Sequence, residues 1–439
     1  MSGEASGLPA LTRILAANRR GERRGVTSVC SANPFVLEAA AMRAARRASL
    51  LCIESTASQV NQEGGYTGMT PAGFAAGVRA SAAAAGARGD QLVLGGDHLG
   101  PFPWRDLPAA DAMAHAATLV RDCVLAGYEK MHLDASMSCA DDPGGSGAAL
   151  DEKTATARTV ELCLAAEEAS AQAGRAAPVY VIGTEVPAPG GERAGDAGPQ
   201  VTSGDAVTRT LESARDAFVA AGLGDAWERI VAVVAQPGVE FGDDAVVAYD
   251  PVAAAGLTAG VRGTWPVVLE AHSTDYQRPG ALAGLVRDGF AILKVGPWLT
   301  FALREALFAL EAVERELLGR RPGVALSGLR ENLESAMLAE PRHWAAYYDP
   351  GDEHLRTRLA FSYSDRCRYY WTQPAVAAAV ASLLRNLAGA DIPLELLGQH
   401  LPREYAAVRA GLLVPEPAAL IRAHITGVLD LYGDACGDE

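Results

Sequence analysis

Ionisable side chains stand at the ends of several short apolar segments of this sequence. These residues are of the types that move protons, bind anions or hold metal ions: Asp97, His98, His132, Asp134, Glu185, Glu240, Glu270, His272 and Lys294. The chain has only eight histidines, and three of them fall at these ends. If the segments are parallel strands of one barrel, their carboxyl ends meet, and the sequence predicts an active site there.

Three of these residues form the expected metal site. His98, Glu240 and His272 have the side chains of a divalent metal centre that keeps one position open for substrate. Zinc is the favoured ion for such ligands, with manganese or nickel as alternatives. The competing interpretation is that each histidine bonds a backbone carbonyl and only closes the barrel mouth.

Three carboxylates are the expected catalytic groups. Asp97 precedes His98 directly and could exchange a proton with a substrate hydroxyl. Asp134 alternates with His132 along one face of a strand and could orient a metal-bound histidine. Glu185, after the fifth segment, is a further candidate.

A second group of residues is expected to bind substrate. The loop 54–71 is dense in amide and hydroxyl side chains with paired glycines, which is typical of sugar-binding sites. The predicted binding residues are Glu54, Ser55, Gln59, Asn61, His132, Gln236, Lys294, Asp365 and Arg366. Arg366 or Arg368 could bind a phosphate, although an interface helix with an ion pair explains the same segment. Lys294 is expected to bind an anion or form an ion pair, and a Schiff base is the alternative.

The elements that must position these residues follow a regular order. Short apolar segments alternate with alanine-rich helical stretches, which indicates βαβ units and a parallel sheet. The predicted strands occupy residues 25–33, 49–55, 91–98, 128–136, 178–185, 229–236, 266–272 and 290–296. Eight strands in about 300 residues predict an α/β fold, a closed (β/α)8 TIM barrel with a helical C-terminal extension. We place the barrel and its site in residues 1–320 and the helical region in 321–439, and we expect the polar loop 186–205 to be a lid or disordered.

Composition excludes several classes of function. The 439-residue chain has a net charge of −15, which makes nucleic acid an unfavourable partner. It contains neither a long apolar span nor a secretory leader pattern, so we expect no membrane partner and a cytoplasmic location. Seven scattered cysteines speak against a disulfide framework. Only three lysines occur, Lys130, Lys153 and Lys294, so a lysine near the site is of special interest.

Several motifs carry a family resemblance that covers nearly the whole predicted barrel. They are IESTASQVNQEGGYTGMTP (53–71), GGDHLGPFPW (95–104), VIGTEVPAPGGE (181–192), QPGVEFGD (236–243), EAHSTDYQ (270–277) and SYSDRCRYYW (362–371). The sequence resembles the Z subunit family of class II tagatose-bisphosphate aldolases, also described as tagatose-6-phosphate kinases. No P-loop or other nucleotide-phosphate cradle is present in the sequence, which speaks against a kinase.

The resemblance implies two different functions. One is a non-catalytic subunit that supports and stabilises a separate catalytic aldolase chain. The other is a metal-dependent enzyme related to class II aldolases and ketose 4-epimerases, acting on tagatose, fructose or their phosphates by C4 epimerisation or retro-aldol cleavage. We favour the enzyme, and a homo-oligomer is a further expectation. By this resemblance Asp97 and His98 supply the proton-transfer acid and first metal ligand, His272 a later ligand, and Glu240 replaces a histidine.

Overall fold

Eight parallel strands close into a barrel. The structure, a computed structural model, describes residues 6–183 and 198–438. The strands are Val26–Cys30 (β1), Leu51–Thr56 (β2), Leu92–Leu99 (β3), Lys130–Leu133 (β4), Val179–Ile182 (β5), Ile230–Val234 (β6), Val268–Ala271 (β7) and Phe290–Val295 (β8). Each strand pairs with the next along the chain, and β8 pairs with β1. The predicted TIM barrel and each of its eight strands are confirmed.

Helices surround the barrel and form the C-terminal extension. Those before and between the strands are Leu8–Arg19 (α1), Pro34–Arg47 (α2), Pro71–Ala84 (α3), Ala109–Ala126 (α4), Glu152–Ala173 (α5), Gly204–Ala220 (α6), Gly224–Trp227 (α7), Ala255–Val261 (α8) and Pro279–Arg287 (α9). Those after β8 are Pro297–Leu318 (α10), Leu329–Ala339 (α11), Leu355–Phe361 (α12), Pro374–Leu387 (α13), Leu394–His400 (α14), Pro402–Arg409 (α15) and Pro417–Cys436 (α16). No helix in the described part of the chain is long and apolar enough to span a membrane.

Short elements complete the fold. Five short 3₁₀ helices occur among the described residues, at Gly65–Thr67, Gly89–Gln91, Phe102–Trp104, Pro341–His343 and Arg366–Tyr370. A two-stranded antiparallel hairpin, Glu240–Phe241 with Val246–Val247, lies between β6 and β7.

Local sequence signals fix where helices begin. Asn33 caps α2 with its side chain and is followed by Pro34 at the first helical position. Thr70 and Pro71 repeat this arrangement at α3. A side-chain oxygen satisfies an amide that has no partner within the helix, and proline there gives up no hydrogen bond. These starts set the lengths of the loops that lead from the strand ends to the helices.

The barrel interior contains both apolar and charged side chains. Its apolar layer is formed by Val26, Cys52, Val93, Val179, Val181, Ala232, Val234, Val268, Ala291 and Ile292, against which Leu11 and Leu15 of α1 pack. Buried charged side chains, among them Glu54 and Lys130, also project from the barrel strands. Since TIM barrels place their sites at the carboxyl ends of the strands, that end is where function is expected.

Gly95 in β3 makes room for a charged pair across the barrel. It pairs with Glu54 of β2 on one side and Lys130 of β4 on the other. An added Cβ at this position would lie 2.9 Å from Cγ of Glu54 and 3.0 Å from the carbonyl oxygen of Lys130. The missing side chain therefore lets Glu54 reach across β3 toward Lys130.

The C-terminal helices pack directly onto the barrel. The predicted last barrel helix, 301–320, corresponds to α10, and the helical character of the remainder is confirmed. The final helix, α16, packs against α2, α9 and α10. Arg43 of α2 forms ion pairs with Asp430 and Asp438, both at 2.8 Å. One hydrophobic cluster includes residues from both parts, while the boundary at residue 320 stays a prediction.

A histidine links α16 to two other helices. Nδ1 of His424 lies 3.0 Å from Glu404 of α15, and Nε2 lies 3.4 Å from Glu305 of α10. Burial lowers the pKa of His424, but its hydrogen bonds to Glu305 and Glu404 outweigh burial and raise the pKa to about 9. The charged histidine is therefore favoured in the folded chain.

This link predicts a pH-dependent contribution to stability. The contribution of a histidine whose pKa rises on folding is complete below its unfolded pKa of about 6.5. It is lost as the pH rises through about 9. We expect His424→Gln to lower the urea midpoint at about pH 6 and to have little effect at about pH 10. His354→Gln, at an exposed histidine, is the control; an equal loss at both pH values for His424→Gln would contradict the assignment.

Candidate metal and sugar site

Four buried charges form a layer inside the barrel, which we call the charged layer: Glu54, Lys130, Glu270 and Lys294. Glu54 lies 2.7 Å from Nζ of Lys130 through Oε1 and 2.5 Å from Nζ of Lys294 through Oε2. Glu270 lies 2.8 Å from Lys130 and 3.4 Å from Lys294. Two carboxylates and two ammonium groups balance each other. That balance is required because an unpaired charge in an apolar interior is strongly unfavourable.

Asp97, at the end of β3, lies directly above this layer. Its Oδ1 is 2.9 Å from Nζ of Lys294 and 2.9 Å from Nδ1 of His132. Burial raises the pKa of Asp97, but the charges of Lys294, His98 and His272 and the hydrogen bond to His132 hold it well below its usual range. Asp97 is therefore an ionised carboxylate at the mouth of the barrel.

His98 and His272 face each other across the mouth. Nδ1 of His98 lies 2.8 Å from Asp134, and Nε2 of His272 lies 3.0 Å from Glu270. Because carboxylates only accept hydrogen bonds, these two nitrogens carry protons, and the tautomers are fixed. The other nitrogens, Nε2 of His98 and Nδ1 of His272, are 3.2 Å apart. A proton or a metal ion between these two nitrogens would keep their lone pairs from repelling each other.

The two histidines differ in their affinity for a proton. Burial lowers the pKa of His98, but Asp97 and the hydrogen bond to Asp134 outweigh it, and the net pKa is raised. Burial is dominant at His272 and lowers its pKa to about 4. At neutral pH His272 is thus a neutral imidazole, which is the form that binds metals.

His132 completes the group. Its Nδ1 lies 2.9 Å from Oδ1 of Asp97 and accepts a hydrogen bond from the backbone N–H of His98 at 3.2 Å. Nε2 of His132 is buried and has no hydrogen-bond partner among the described residues. One ligand-type atom from each of Asp97, His98, His132 and His272 lies within 4.8 Å of the others. This donor set fits a zinc-like ion.

Backbone strain accompanies the site. Five residues other than glycine have a left-handed backbone among those described, and one of them, Ala48, only ends a helix. The others are His98 (φ 47°), Ser273 (φ 54°), Tyr276 (φ 63°) and Asp365 (φ 46°). Such conformations are unfavourable for side-chain-bearing residues and cluster at functional sites.

The remaining predicted catalytic and metal residues are Asp134, Glu240 and Glu185. Asp134 is turned toward His98 and accepts hydrogen bonds from the backbone and hydroxyl of Ser136. Glu240 lies on the hairpin after β6 and its carboxylate accepts from the backbone N–H of Phe241; it is not in the four-residue group. Glu185 lies outside the described residues. Metal ligation by Glu240 and catalysis by Glu185 stay predictions.

A cavity of about 1210 Å³ opens from this group toward the C-terminal region. Its lining includes seven of the predicted site residues: Gln59, Asn61, Asp97, His98, His272, Lys294 and Arg366. Gln59 and Asn61 also organise their loop, since their side-chain oxygens accept from backbone amides of residues 56, 63 and 65. The cavity is large enough for a sugar or sugar phosphate.

Other predicted binding residues are not in its lining. Ser55 contacts the hydroxyl of Tyr128 at 2.8 Å, and the side chain of Gln236 accepts from the amides of Gly238 and Val239. Glu54 and His132 lie in the interior beneath the cavity as described above. Asp365 contacts Thr300 at 2.6 Å and Arg304 at 3.1 Å, tying its loop to α10.

The C-terminal wall of the cavity is aromatic and basic. The guanidinium of Arg366 lies 3.5 Å from the ring centre of Tyr347. Arg368 also lines the cavity, and its guanidinium donates to the hydroxyl of Tyr369 at 2.9 Å. This wall could attract an anionic group of a ligand.

Two structurally important residues were absent from the predicted site. The sequence does offer a reason to include Lys130, because it stands two residues before His132 on the same strand face and is one of three lysines in the chain. Asp275, which lines the cavity, follows His272 by three residues in a loop whose path no periodicity predicts.

Comparison with known proteins agrees with the predicted resemblance. Residues 11–437 match the family described as D-tagatose-1,6-bisphosphate aldolase subunit GatZ/KbaZ-like. A solved structure described as a probable tagatose 6 phosphate kinase from Sinorhizobium meliloti 1021 is 45% identical, with a TM-score of 0.85 over 94% of this chain and 100% of that one.

More distant structures were also found. The fructuronate-tagaturonate epimerase UxaE from Cohnella laeviribosi is 14% identical, with a TM-score of 0.46 over 93% of this chain and 81% of that one. Fructose-bisphosphate aldolase (Fba) from Campylobacter jejuni is 12% identical, with a TM-score of 0.43 over 91% and 96%. The match over nearly the whole sequence does establish membership: the chain belongs to the GatZ/KbaZ-like family of D-tagatose-1,6-bisphosphate aldolase subunits.

Proposed function

We propose that this chain is a metal-dependent enzyme that breaks the C3–C4 bond of a ketose. The observation that carries the proposal is the pair His98 and His272, whose ring nitrogens face each other at 3.2 Å beside the carboxylate of Asp97. Family membership supports tagatose, fructose or one of their phosphates as the substrate. The outcome is C4 epimerisation if the bond re-forms on the other face and retro-aldol cleavage if the aldehyde leaves.

His98, His132 and His272 would hold the metal ion. Zinc is favoured by the imidazole ligands, and manganese or nickel are alternatives. Such an ion would polarise the ketose oxygens at C2 and C3 and stabilise the charge that develops on them. The carboxylates of Asp134 and Glu270 keep His98 and His272 in the tautomers that leave a lone pair for the ion.

Asp97 would move the proton. Its Oδ1 is engaged by Lys294 and His132, while Oδ2 has the weaker contact of the Cys30 thiol at 3.6 Å. Oδ2 is thus the oxygen that can accept the proton of the C4 hydroxyl. As that proton leaves, the C4 oxygen forms the aldehyde carbonyl and the C3–C4 electron pair passes into an enediolate. On re-addition Asp97 would return this proton to the C4 oxygen, and on cleavage it would deliver the proton to C3 of the enediolate.

A second candidate function rests on the family description, which names a subunit. In that case the chain would bind and stabilise a separate catalytic aldolase chain. The fixed tautomers of His98 and His272 favour the enzyme, because a support subunit does not require them. Turnover by the isolated chain distinguishes the two functions.

The metal assignment predicts strict metal dependence. We expect the purified chain to interconvert fructose and tagatose, or release a triose, and to lose that activity on chelation and regain it with zinc. His98→Ala and His272→Ala should each lower turnover and zinc affinity by about 100-fold or more. His354→Ala, at an exposed histidine, is the control and should change neither quantity. Full activity in chelator, or in either cavity variant, would contradict the proposal.

The role of Asp97 is tested separately from metal binding. Asp97→Asn keeps the shape of the side chain but removes its basicity. We expect kcat to fall by between about 100-fold and 10,000-fold, the usual contribution of a general base. Zinc content, measured by atomic emission, should stay near one ion per chain. Loss of zinc together with activity would instead make Asp97 a metal ligand.

Lys294 offers a test against a Schiff-base mechanism. Its ammonium group is enclosed by Glu54, Asp97 and Glu270 at 2.5, 2.9 and 3.4 Å. A nucleophilic lysine must be a neutral amine, which this surrounding of carboxylates disfavours. We expect borohydride with substrate to yield no covalent adduct by mass spectrometry. An adduct on Lys294 would overturn the metal mechanism in favour of covalent catalysis.

A further inference from the structure

The loop after β7 sends a carboxylate to the start of α10. Oδ1 of Asp275 accepts hydrogen bonds from the backbone N–H groups of Gly296 at 3.1 Å and Trp298 at 2.8 Å. The Asp275 side chain is buried, yet it lines the cavity that contains the histidine pair. The protein thus supplies its own anion to the amino end of this helix.

The amides at this helix start are all engaged. Pro297 has no N–H, and the amides of Leu299 and Thr300 point to the carbonyl of Gly296 at 3.0 and 3.4 Å. The amides of Gly296 and Trp298 are bound by Asp275. From Gly296 to Thr300, which all belong to the described chain, no backbone donor is left for a ligand.

This position is where many TIM barrels bind phosphate. Their phosphate site is formed by the loops after strands 7 and 8 and the amino end of a helix, whose amides and dipole favour an anion. In this chain Asp275 comes from the loop after β7, and the amides it binds follow β8. A phosphate here would have to displace Asp275 from two hydrogen bonds and would lie beside a like charge.

The carboxyl group of Asp275 is charged at neutral pH despite its burial. Burial raises its pKa, to about 6, so the carboxyl is ionised at neutral pH. Arg368 is the cation whose charge lowers this pKa. Its guanidinium already donates to the carbonyl oxygens of Ser364 and Asp365. The guanidinium of Arg368 is therefore engaged by its own loop.

We propose that the end of the substrate lying against Asp275 carries hydroxyl groups and no phosphate. The ligand is then a free ketose, or a monophosphate whose phosphate lies at the basic C-terminal wall, and ketose bisphosphates are rejected. The inference rests on the proposed function, since it assumes a ketose at the histidine pair. Asp275 is then a specificity residue, whose second carboxylate oxygen accepts a hydrogen bond from a substrate hydroxyl.

Binding measurements on the zinc-loaded chain test this assignment. The ligands are fructose, fructose 1-phosphate, fructose 6-phosphate and fructose 1,6-bisphosphate, titrated by calorimetry. We expect the wild-type chain to bind the bisphosphate about tenfold or more weakly than the better monophosphate, the difference that one lost charge-assisted contact produces. Asp275→Ser frees two amides and removes the charge, so it should raise bisphosphate affinity by about tenfold.

Asp275→Asn provides a second variant in case the serine chain folds poorly. It keeps an acceptor for both amides and removes only the charge, so we expect a smaller gain for the bisphosphate. Glu404→Gln removes a buried carboxylate outside the cavity and should leave the ratio of affinities unchanged. Tightest wild-type binding of the bisphosphate, or an unchanged ratio in both Asp275 variants, would overturn the inference.

The test of Asp275 is independent of the test of the proposed function. Ligand preference is measured by binding, whether or not turnover occurs. Metal-dependent turnover with a preference for the bisphosphate would overturn the inference alone. Absence of turnover with every ketose would overturn the proposed function instead.

Discussion

Burial of the charged layer is the constraint on which the rest of the site depends. Glu54, Lys130, Glu270 and Lys294 lie in the barrel interior, shielded from water, and each is within 3.4 Å of an opposite charge. Removing one member would leave an excess charge in a low-dielectric interior, and breaking a buried ion pair in this way destabilises a protein by about 3–5 kcal/mol. The layer is therefore stable only as a complete set.

The charged layer also sets the chemistry above it. Glu270 uses one oxygen to hold His272, and Lys294 reaches up to Asp97. His98 is held from outside the layer by Asp134. His98 and His272 thus each have their proton position fixed by a buried carboxylate, as metal-binding histidines require. An arrangement of this kind gives a substrate a preorganised site rather than a flexible one.

Sequence patterns predicted the barrel because its signals are local and repeated. Each strand is a short apolar run, and each is followed by a polar loop and a helix. They also predicted that polar residues gather at the strand ends, since closure of a barrel brings those ends together. Gly95 illustrates what local patterns omit: its role depends on Glu54 and Lys130, which come from neighbouring strands.

The details of the site depend on distances that a sequence does not contain. His132, a predicted substrate-binding residue, lies in the same group as His98 and His272. Glu240 was expected to hold metal, and the hairpin places its carboxylate on the amide of Phe241. The sequence does not indicate the role of Asp275, because its partners are backbone amides, which every residue except proline has.

The proposed function requires that the histidines at the barrel mouth hold a metal ion. Zinc X-ray absorption spectroscopy on the chain reconstituted with one equivalent of zinc tests this requirement. We expect tightly bound zinc with imidazole ligands at about 2.0–2.1 Å, and loss of that signature in His98→Ala. Zinc bound through sulfur, or zinc that gel filtration removes completely, would contradict it.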